Sequence, residues 1–212
     1  MAGCGAVAAG QVMFFHKEPS LMSWEEENFT WSEIPSAPSI TSKQKYLMRM
    51  LGQKFQMDYR PDSTAATTVT KIVVGLDSLG YPVYSANYNA STTRDTITLG
   101  RKPVIMFGKD PTMEDGHFWV CEGYKESILN QLFFFTENQP YGAGIFTQGM
   151  YSLQNPGVDG GILYSYFYMN WGAWHPANES APYNGWFLSN DVSIAEGNFT
   201  NNRKNIYVSH PQ

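Results

Sequence analysis

Residues 2–16 read AGCGAVAAGQVMFFH, a cysteine set among glycine and alanine and followed by an apolar run. Small and apolar residues recur here at helical spacing, and no proline occurs before Pro19. The pattern predicts a buried helix over residues 4–16, with Cys4 at its N-terminus. Alanine and glycine also permit close backbone packing, which suits a helix that runs through the middle of a domain.

The elements that follow change in type along the chain. Two more helices are predicted, from Ser42 to about Lys54 and from Thr67 to Leu79. Beyond residue 95, aromatic and β-branched runs predict strands that begin at Pro103, Gly116, Ile162 and Asn184. Helices followed by an antiparallel sheet predict an α+β fold. We expect one domain over residues 1–212, helical to about residue 95 and a β-sheet half over 96–212.

Two polar segments are interpreted as loops. Residues 23–39, SWEEENFTWSEIPSAPS, are polar and contain Pro35 and Pro38. Residues 136–161 are rich in Gly, Pro, Asn and Gln, and a loop of that length is usually functional or disordered.

Composition excludes several classes of partner. The formal net charge is -5, with 14 Lys and Arg against 19 Asp and Glu, so the chain lacks the basic footprint of a nucleic-acid-binding protein. No apolar run is long enough to span a membrane. Aromatic residues make up 15% of the chain, which is typical of proteins that bind extended peptides or glycans.

Only two cysteines occur, Cys4 and Cys121, so a disulfide framework does not stabilise the domain. A helix N-terminus favours a thiolate, because its unpaired N–H groups and dipole attract negative charge. Cys4 is placed for this effect and is a candidate nucleophile. The alternative is that Cys4 is a small buried hydrophobic residue. Three residues precede it, too few for a signal peptide, so we expect no lipid anchor there.

A catalytic thiolate also needs an imidazole as its base and acid. His117 is the strongest candidate, because it begins a predicted strand directly after Gly116, whose missing side chain would let substrate or a helix approach. Along this strand His117, Trp119 and Cys121 share one face. The alternative is a core histidine, and Cys121 is most simply a core residue.

The other histidines are expected to serve other purposes. His16 is interpreted as a solvated residue at the end of the first helix, and His175 as a loop residue at the rim of the site. His210 lies near the C-terminus, where we expect the chain to fray.

A third group must hold the imidazole in orientation. Asn170 ends a predicted strand, and Trp171 beside it could exclude water from a hydrogen bond between Asn170 and histidine. Alternatively, this pair begins a turn. No motif for a metal, a phosphate or a serine nucleophile occurs, so we expect no metal and no cofactor. The carboxylates of Asp58, Glu114 and Asp115 are interpreted as solvated surface.

These segments resemble the motifs of the streptopain family of bacterial papain-like cysteine peptidases. Residues 2–19 resemble its active-site segment, with the tail Q-[IV]-M-x-[YF]-[HY]. GHFWVCEGY at 116–124 resembles GHAWVxDGY, and MNWGAW at 169–174 with NGWFL at 184–188 resembles NWGWGG and NGYF. NFTWSEIP and MDYRPDSTAA match weaker landmarks in the same order. The resemblance covers nearly the whole chain, from Cys4 to about Leu188.

The resemblance implies a role for each candidate. Cys4 would be the nucleophile, His117 its base and acid, and Asn170 the group that orients His117, with Trp171 packed over the pair. The backbone N–H of Cys4 would donate to the oxyanion. The chain would be a thiol endopeptidase for extended peptides, secreted or in the cell envelope of a bacterium. Its own propeptide or a proteinaceous inhibitor would be possible partners.

Three departures from the family pattern keep alternatives open. The family's oxyanion-hole glutamine lies upstream of the cysteine, which implies an N-terminally truncated relative. NWGAW replaces NWGWGG, and the stretch between His117 and Asn170 is longer than usual. The alternatives are a catalytically impaired relative that binds peptides and a papain-like cell-wall amidopeptidase.

Overall fold

The computed structural model describes most of the chain. The described residues are 2–34, 41–60, 65–112, 116–129, 133–135, 149–151, 162–172, 184–195 and 197–211.

Helices dominate the first half of the described chain. They are α1 (Cys4–His16), a 3-10 turn (Trp31–Glu33), α2 (Ser42–Lys54), α3 (Val69–Asp77) and α4 (Ala90–Thr98). The predictions for α1 and α2 are confirmed at both ends, and α3 is shorter than predicted. Thr41 caps α2 by accepting from the Gln44 N–H, whose side chain reaches back to complete a capping box.

Fourteen strands occur among the described residues. They are β1 (Leu21–Trp24), β2 (Glu27–Thr30), β3 (Asp58–Tyr59), β4 (Ala65–Ala66), β5 (Val83–Asn87), β6 (Val104–Lys109), β7 (Gly116–Leu129), β8 (Phe133–Phe135), β9 (Gly149–Tyr151), β10 (Ile162–Asn170), β11 (Gly185–Leu188), β12 (Ser193–Ile194), β13 (Gly197–Asn198) and β14 (Asn201–Val208). The main sheet has the order β11-β10-β7-β6-β14-β5. The predicted α+β fold is confirmed.

Two strands of the main sheet were not predicted. β5 comes from the first 95 residues, so the helical part of the sequence also supplies an edge of the sheet. β14 pairs antiparallel with both β5 and β6. Only its last four residues, 205–208, are buried, and its first half is polar. Because the first half of β14 is polar, its sequence does not predict a strand, although β14 lies between β6 and β5 in the sheet.

The predicted loop over residues 23–39 is wrong for its first part. β1 and β2 form an antiparallel hairpin in which Trp24 pairs with Glu27. Met22 and Phe29 face the core, while Leu21, Ser23 and Asn28 beside them are exposed. The turn between the two strands contains no glycine. Glu25 adopts the positive φ of 51° that a glycine would favour. Without a glycine or proline turn signal, the alternation was too short to predict strands. Residues 35–40 lie outside the described part.

The chain divides into two compact units. One comprises Met1–Tyr124 with Phe167–Gln212, and the other comprises Lys125–Tyr166. The second unit contains β8 and β9, which pair antiparallel. It includes the whole predicted loop over 136–161, and β9 is a strand within that loop. All residues of the candidate site described below belong to the first unit. The expectation of a single peptidase domain stays a prediction.

The two faces of the main sheet bury separate apolar clusters. Side chains alternate along β7, so Phe118 and Val120 belong to the cluster that contains α1. Trp119 and Cys121 belong to the other cluster. The small residues of α1 are buried against the sheet and the neighbouring helices, as the sequence predicted.

Gly108 provides a test of the packing behind the site. It pairs with His117 in the β6–β7 register, and a Cβ added there would overlap the backbone carbonyl oxygen of Phe199. Gly108→Ala is therefore expected to lower the free energy of unfolding by about 1–3 kcal/mol, measured by denaturant unfolding. The control is Gly185→Ala, where no heavy atom lies within 4 Å of the added Cβ. Equal effects of the two substitutions would contradict this packing.

Candidate active site

Cys4 is the first residue of α1 and is partly exposed. Gly3 precedes it as the N-cap with a φ of 81° and supplies no side-chain acceptor. A Cβ at Gly3 would overlap Met57 Cε and lie 3.0 Å from Ala65 Cβ, so this position requires glycine for both its conformation and its space. No N-cap side chain therefore accepts from the N–H groups of the first turn, and a helix N-terminus favours a thiolate.

The first turn of α1 lies against the beginning of β7. A Cβ added at Gly5 would lie 3.6 Å from Phe118 Cδ2, an ordinary contact distance, and 2.9 Å from Thr67 Cγ2. Gly5 and Phe118 directly follow the predicted nucleophile and the predicted base. The N-terminus of α1 and the start of β7 are thus adjacent in the fold.

His117 lies within a group of aromatic rings. Its ring centroid is 5.5 Å from that of Trp171, 5.5 Å from that of Phe199 and 6.5 Å from that of Trp119. Trp119 and Trp171 also stack on each other at 4.6 Å. Trp171 thus lies against the His117 ring, while its expected packing over a His117–Asn170 pair stays a prediction. These rings restrict the imidazole and exclude water from one side of it.

Phe199 was not predicted as a site residue. It follows the short strand β13, far along the chain from His117, and no local motif marks it. Its backbone can approach β6 because Gly108 has no side chain. Only the three-dimensional arrangement of the sheet identifies this contact.

The neighbour of Gly116 in the structure is not the expected helix, while the expected approach of substrate at Gly116 stays a prediction. A Cβ at this position would overlap the ring of Phe107 and lie 2.6 Å from the carbonyl oxygen of Gly108. Gly116 thus makes room for its own sheet neighbour on β6, rather than for a helix. This close packing fixes the start of β7 directly before His117.

Asn170 is a junction between α1 and the end of β10. Its Oδ1 accepts hydrogen bonds from Gln11 Nε2 at 3.1 Å, from the Gly172 N–H at 3.1 Å and from Asn184 Nδ2 at 3.4 Å. Asn184 Oδ1 in turn accepts from the backbone N–H of Trp171 at 2.9 Å. The amide of Asn170 therefore holds the chain around Trp171 to the helix that carries Cys4. The expected role of Asn170 in orienting His117 stays a prediction.

Gly172 brings the chain after β10 directly onto α1. Its φ is 65°, a conformation that favours glycine. A Cβ there would lie 2.6 Å from Val7 Cγ1 and 3.5 Å from Gln11 Nε2. Gln11 follows Cys4 by about two helical turns, so the two residues lie on the same face of α1.

Glu122 adds an ionisable group to this junction that the sequence analysis missed. Partial burial raises the pKa of the Glu122 carboxyl, and a hydrogen bond with Asn170 partly offsets that rise. Glu122 lies on the β7 face of Phe118 and Val120, where an acidic residue breaks the apolar alternation. An acidic residue on this otherwise apolar face was the sequence signal that could have indicated a functional role for Glu122.

The expectation of a solvated His16 is wrong. Its ring lies 5.9 Å from that of Tyr81 and 5.9 Å from that of His210. Burial, followed by the charge of His210, lowers the pKa of His16. His210 packs here instead of fraying, with Nε2 3.9 Å from Glu18 Oε1. His175 lies outside the described residues.

Cys121 is a core residue, as predicted. Its side chain is fully buried, and this burial raises the pKa of the Cys121 thiol far above its ordinary value. Neither cysteine forms a disulfide. The two thiols therefore differ in access, because Cys4 is partly exposed.

Comparison with protein families identifies the chain. The model of the peptidase C10 family, the streptopain family, matches residues 1–178 and includes Cys4, His117 and Asn170. The chain belongs to the peptidase C10 family. The predicted relationship is thus confirmed, and membership supports a cysteine peptidase that acts on proteins. Comparison with curated proteins gave no significant match.

The described residues of this C10 peptidase contain neither a candidate membrane span nor a candidate metal cluster. None of their helices is both long and apolar enough to cross a membrane. In the same residues, no group of three or more His, Cys, Asp or Glu side chains could hold a metal ion.

The Gln11–Asn170 hydrogen bond can be tested with a double-mutant cycle. Gln11→Met and Asn170→Ala each remove one partner, so we expect a coupling energy of about 0.5–1.5 kcal/mol in denaturant unfolding. The control cycle pairs Asn170→Ala with Gln53→Met on α2, an exposed glutamine, and should be additive. Additivity in both cycles would contradict a stabilising hydrogen bond between Gln11 and Asn170.

Proposed function

We propose that this C10 peptidase is an endopeptidase that cleaves extended protein or peptide chains through a thioester acyl-enzyme. The observation that carries the proposal is the proximity of the first turn of α1 to the start of β7, where a Cβ added at Gly5 would lie 3.6 Å from Phe118 Cδ2. This contact supports a site in which Cys4 and His117 act together.

In the proposed reaction His117 takes the proton of the Cys4 thiol, and the thiolate attacks the carbonyl carbon of the scissile peptide bond. The backbone N–H of Cys4 donates to the oxyanion of the tetrahedral intermediate. His117 then gives its proton to the leaving amine, and the thioester remains. Water, deprotonated by His117, hydrolyses the thioester, releases the carboxylate product and restores the thiol.

The surroundings of His117 support this role. Trp171 and Phe199 hold the ring on one side, which favours a fixed orientation of the imidazole over free rotation. Asn170 is the proposed orienting group, by resemblance to the family. Its hydrogen bonds to Gln11 and around Trp171 also support a positioning role through the helix of Cys4.

The resemblance extends the proposal beyond the site. The protein would be secreted or located in the cell envelope of a bacterium, and its own propeptide or a proteinaceous inhibitor would occupy the site when it is inactive. A catalytically impaired peptide-binding protein and a cell-wall amidopeptidase are the alternatives that the following experiment separates.

Treatment with iodoacetamide at pH 6 tests the proposal. We expect fast alkylation of Cys4 and none of buried Cys121, followed by mass spectrometry, and loss of casein cleavage on alkylation. Cys4→Ala and His117→Ala should reduce cleavage of denatured casein to background. Cys121→Ala is the matched control and should retain cleavage if it folds, which circular dichroism verifies.

Each other outcome has a distinct meaning. Slow labelling of Cys4 would contradict an activated thiol. Fast labelling without cleavage of casein or muropeptides would favour the impaired peptide-binding protein. Cleavage of muropeptides but not casein would favour the amidopeptidase.

A further inference from the structure

A groove of about 640 Å³ lies beside the candidate active site. One wall includes Thr67, whose Cγ2 would lie 2.9 Å from a Cβ added at Gly5. Another includes Gly116, the residue before His117. The groove therefore adjoins the immediate chain neighbours of both predicted catalytic residues. We call it the lysine groove, and its polar lining includes Thr67, Thr68, Thr70, Asn87, Lys109 and Lys204.

Lys204 is held in position at this groove. It lies on β14, where it pairs with Asn87 of β5 and Phe107 of β6 in the strand register. Its Nζ donates a hydrogen bond to Asn87 Oδ1. A lysine that is already restrained loses less side-chain entropy when it binds an anion.

Lys109 adds a second cation to the same wall. It pairs with Gly116 in the β6–β7 register and lies two residues beyond Phe107, on the same face of β6. The N-terminal turn of α3 also lines the groove at Val69 and Thr70, and a helix N-terminus attracts negative charge. Three separate elements thus contribute positive potential.

The described lining residues of the groove include neither Asp nor Glu. Asp110 follows Lys109 in sequence but is not a lining residue of the groove, and its carboxylate accepts from the Thr112 and Asn198 backbone N–H groups. Glu114 and Asp115 lie outside the described residues. A local cationic groove contrasts with the net charge of -5.

We propose that the lysine groove binds an acidic side chain of the substrate, so that the peptidase favours peptides with Glu or Asp near the scissile bond. The inference rests on the proposed function. The carboxylate would accept hydrogen bonds from Lys204 Nζ and from the hydroxyls of Thr68 and Thr70, and charge-assisted bonds are stronger than neutral ones. The volume fits one side chain with adjoining peptide backbone.

A set of fluorogenic peptides tests this specificity. Each peptide carries Glu, Gln, Leu or Lys at one position, from three residues before to three residues after the scissile bond. We expect Glu to exceed its isostere Gln in kcat/KM by about 10-fold at one position, equivalent to about 1.4 kcal/mol. This ratio should fall as ionic strength rises.

Variants assign the preference to the groove. Lys204→Gln should reduce the Glu-to-Gln ratio to within about two-fold, and Lys204→Glu should shift the preference towards the Lys peptide. Lys54→Gln, an exposed residue of α2 outside the groove, is the control and should leave the ratio unchanged. Equal reductions in Lys204→Gln and Lys54→Gln would overturn the assignment.

Failure of the groove and failure of the peptidase are distinguishable. Cleavage with equal kcat/KM for Glu, Gln and Leu peptides at every position would overturn the groove and leave the peptidase intact. The Cys4→Ala variant also reports binding of the same peptides by fluorescence anisotropy. Tighter binding of Glu peptides there, without cleavage by the native protein, would support the groove and overturn the peptidase.

Discussion

The close packing of α1 against the main sheet is the contact on which the rest of the structure depends. A Cβ added at Gly5 would lie 2.9 Å from both Ile72 Cδ1 and Thr67 Cγ2 and 3.6 Å from Phe118 Cδ2, and one added at Gly172 would lie 2.6 Å from Val7 Cγ1. Larger side chains at these glycines would push α1 away from Thr67, from α3 and from the residues that follow β10. Because the helix begins with Cys4, its distance from the sheet also sets the position of the thiol relative to His117.

Much of the fold could be predicted because several elements carry local signals. α2 begins at a capping box, and α1 is a continuous run of small and apolar residues, so their ends were predicted correctly. α4 begins at an Asn89 N-cap that accepts from the Thr92 N–H, but neither α4 nor β14 has a capping box or a continuous apolar run. α4 is rich in threonine, a weak helix former, and depends on the buried hydrogen bond between Asn205 and Thr93. Tertiary contacts decided both elements.

The residues of the candidate site also fall into two groups: those that sequence motifs predicted and those that only the fold brings together. Cys4, His117 and Trp171 lie in motifs that are continuous in sequence, and the contact of Trp171 with His117 followed from them. Phe199, Gln11 and Glu122 contribute through contacts between distant parts of the chain. Gly116 was recognised as special, but its neighbour on β6, and not a helix, explains the need for glycine. Sequence motifs thus indicated the chemistry, while packing determined its supports.

The central claim is that His117 activates Cys4. The most direct measurement is the rate of Cys4 alkylation by iodoacetamide from pH 4 to pH 9, in the native protein and in His117→Gln. The account predicts rapid alkylation of native Cys4 near pH 5, where an ordinary thiol is almost wholly protonated, and a loss of about ten-fold or more in His117→Gln. Identical pH profiles for the two proteins would contradict it.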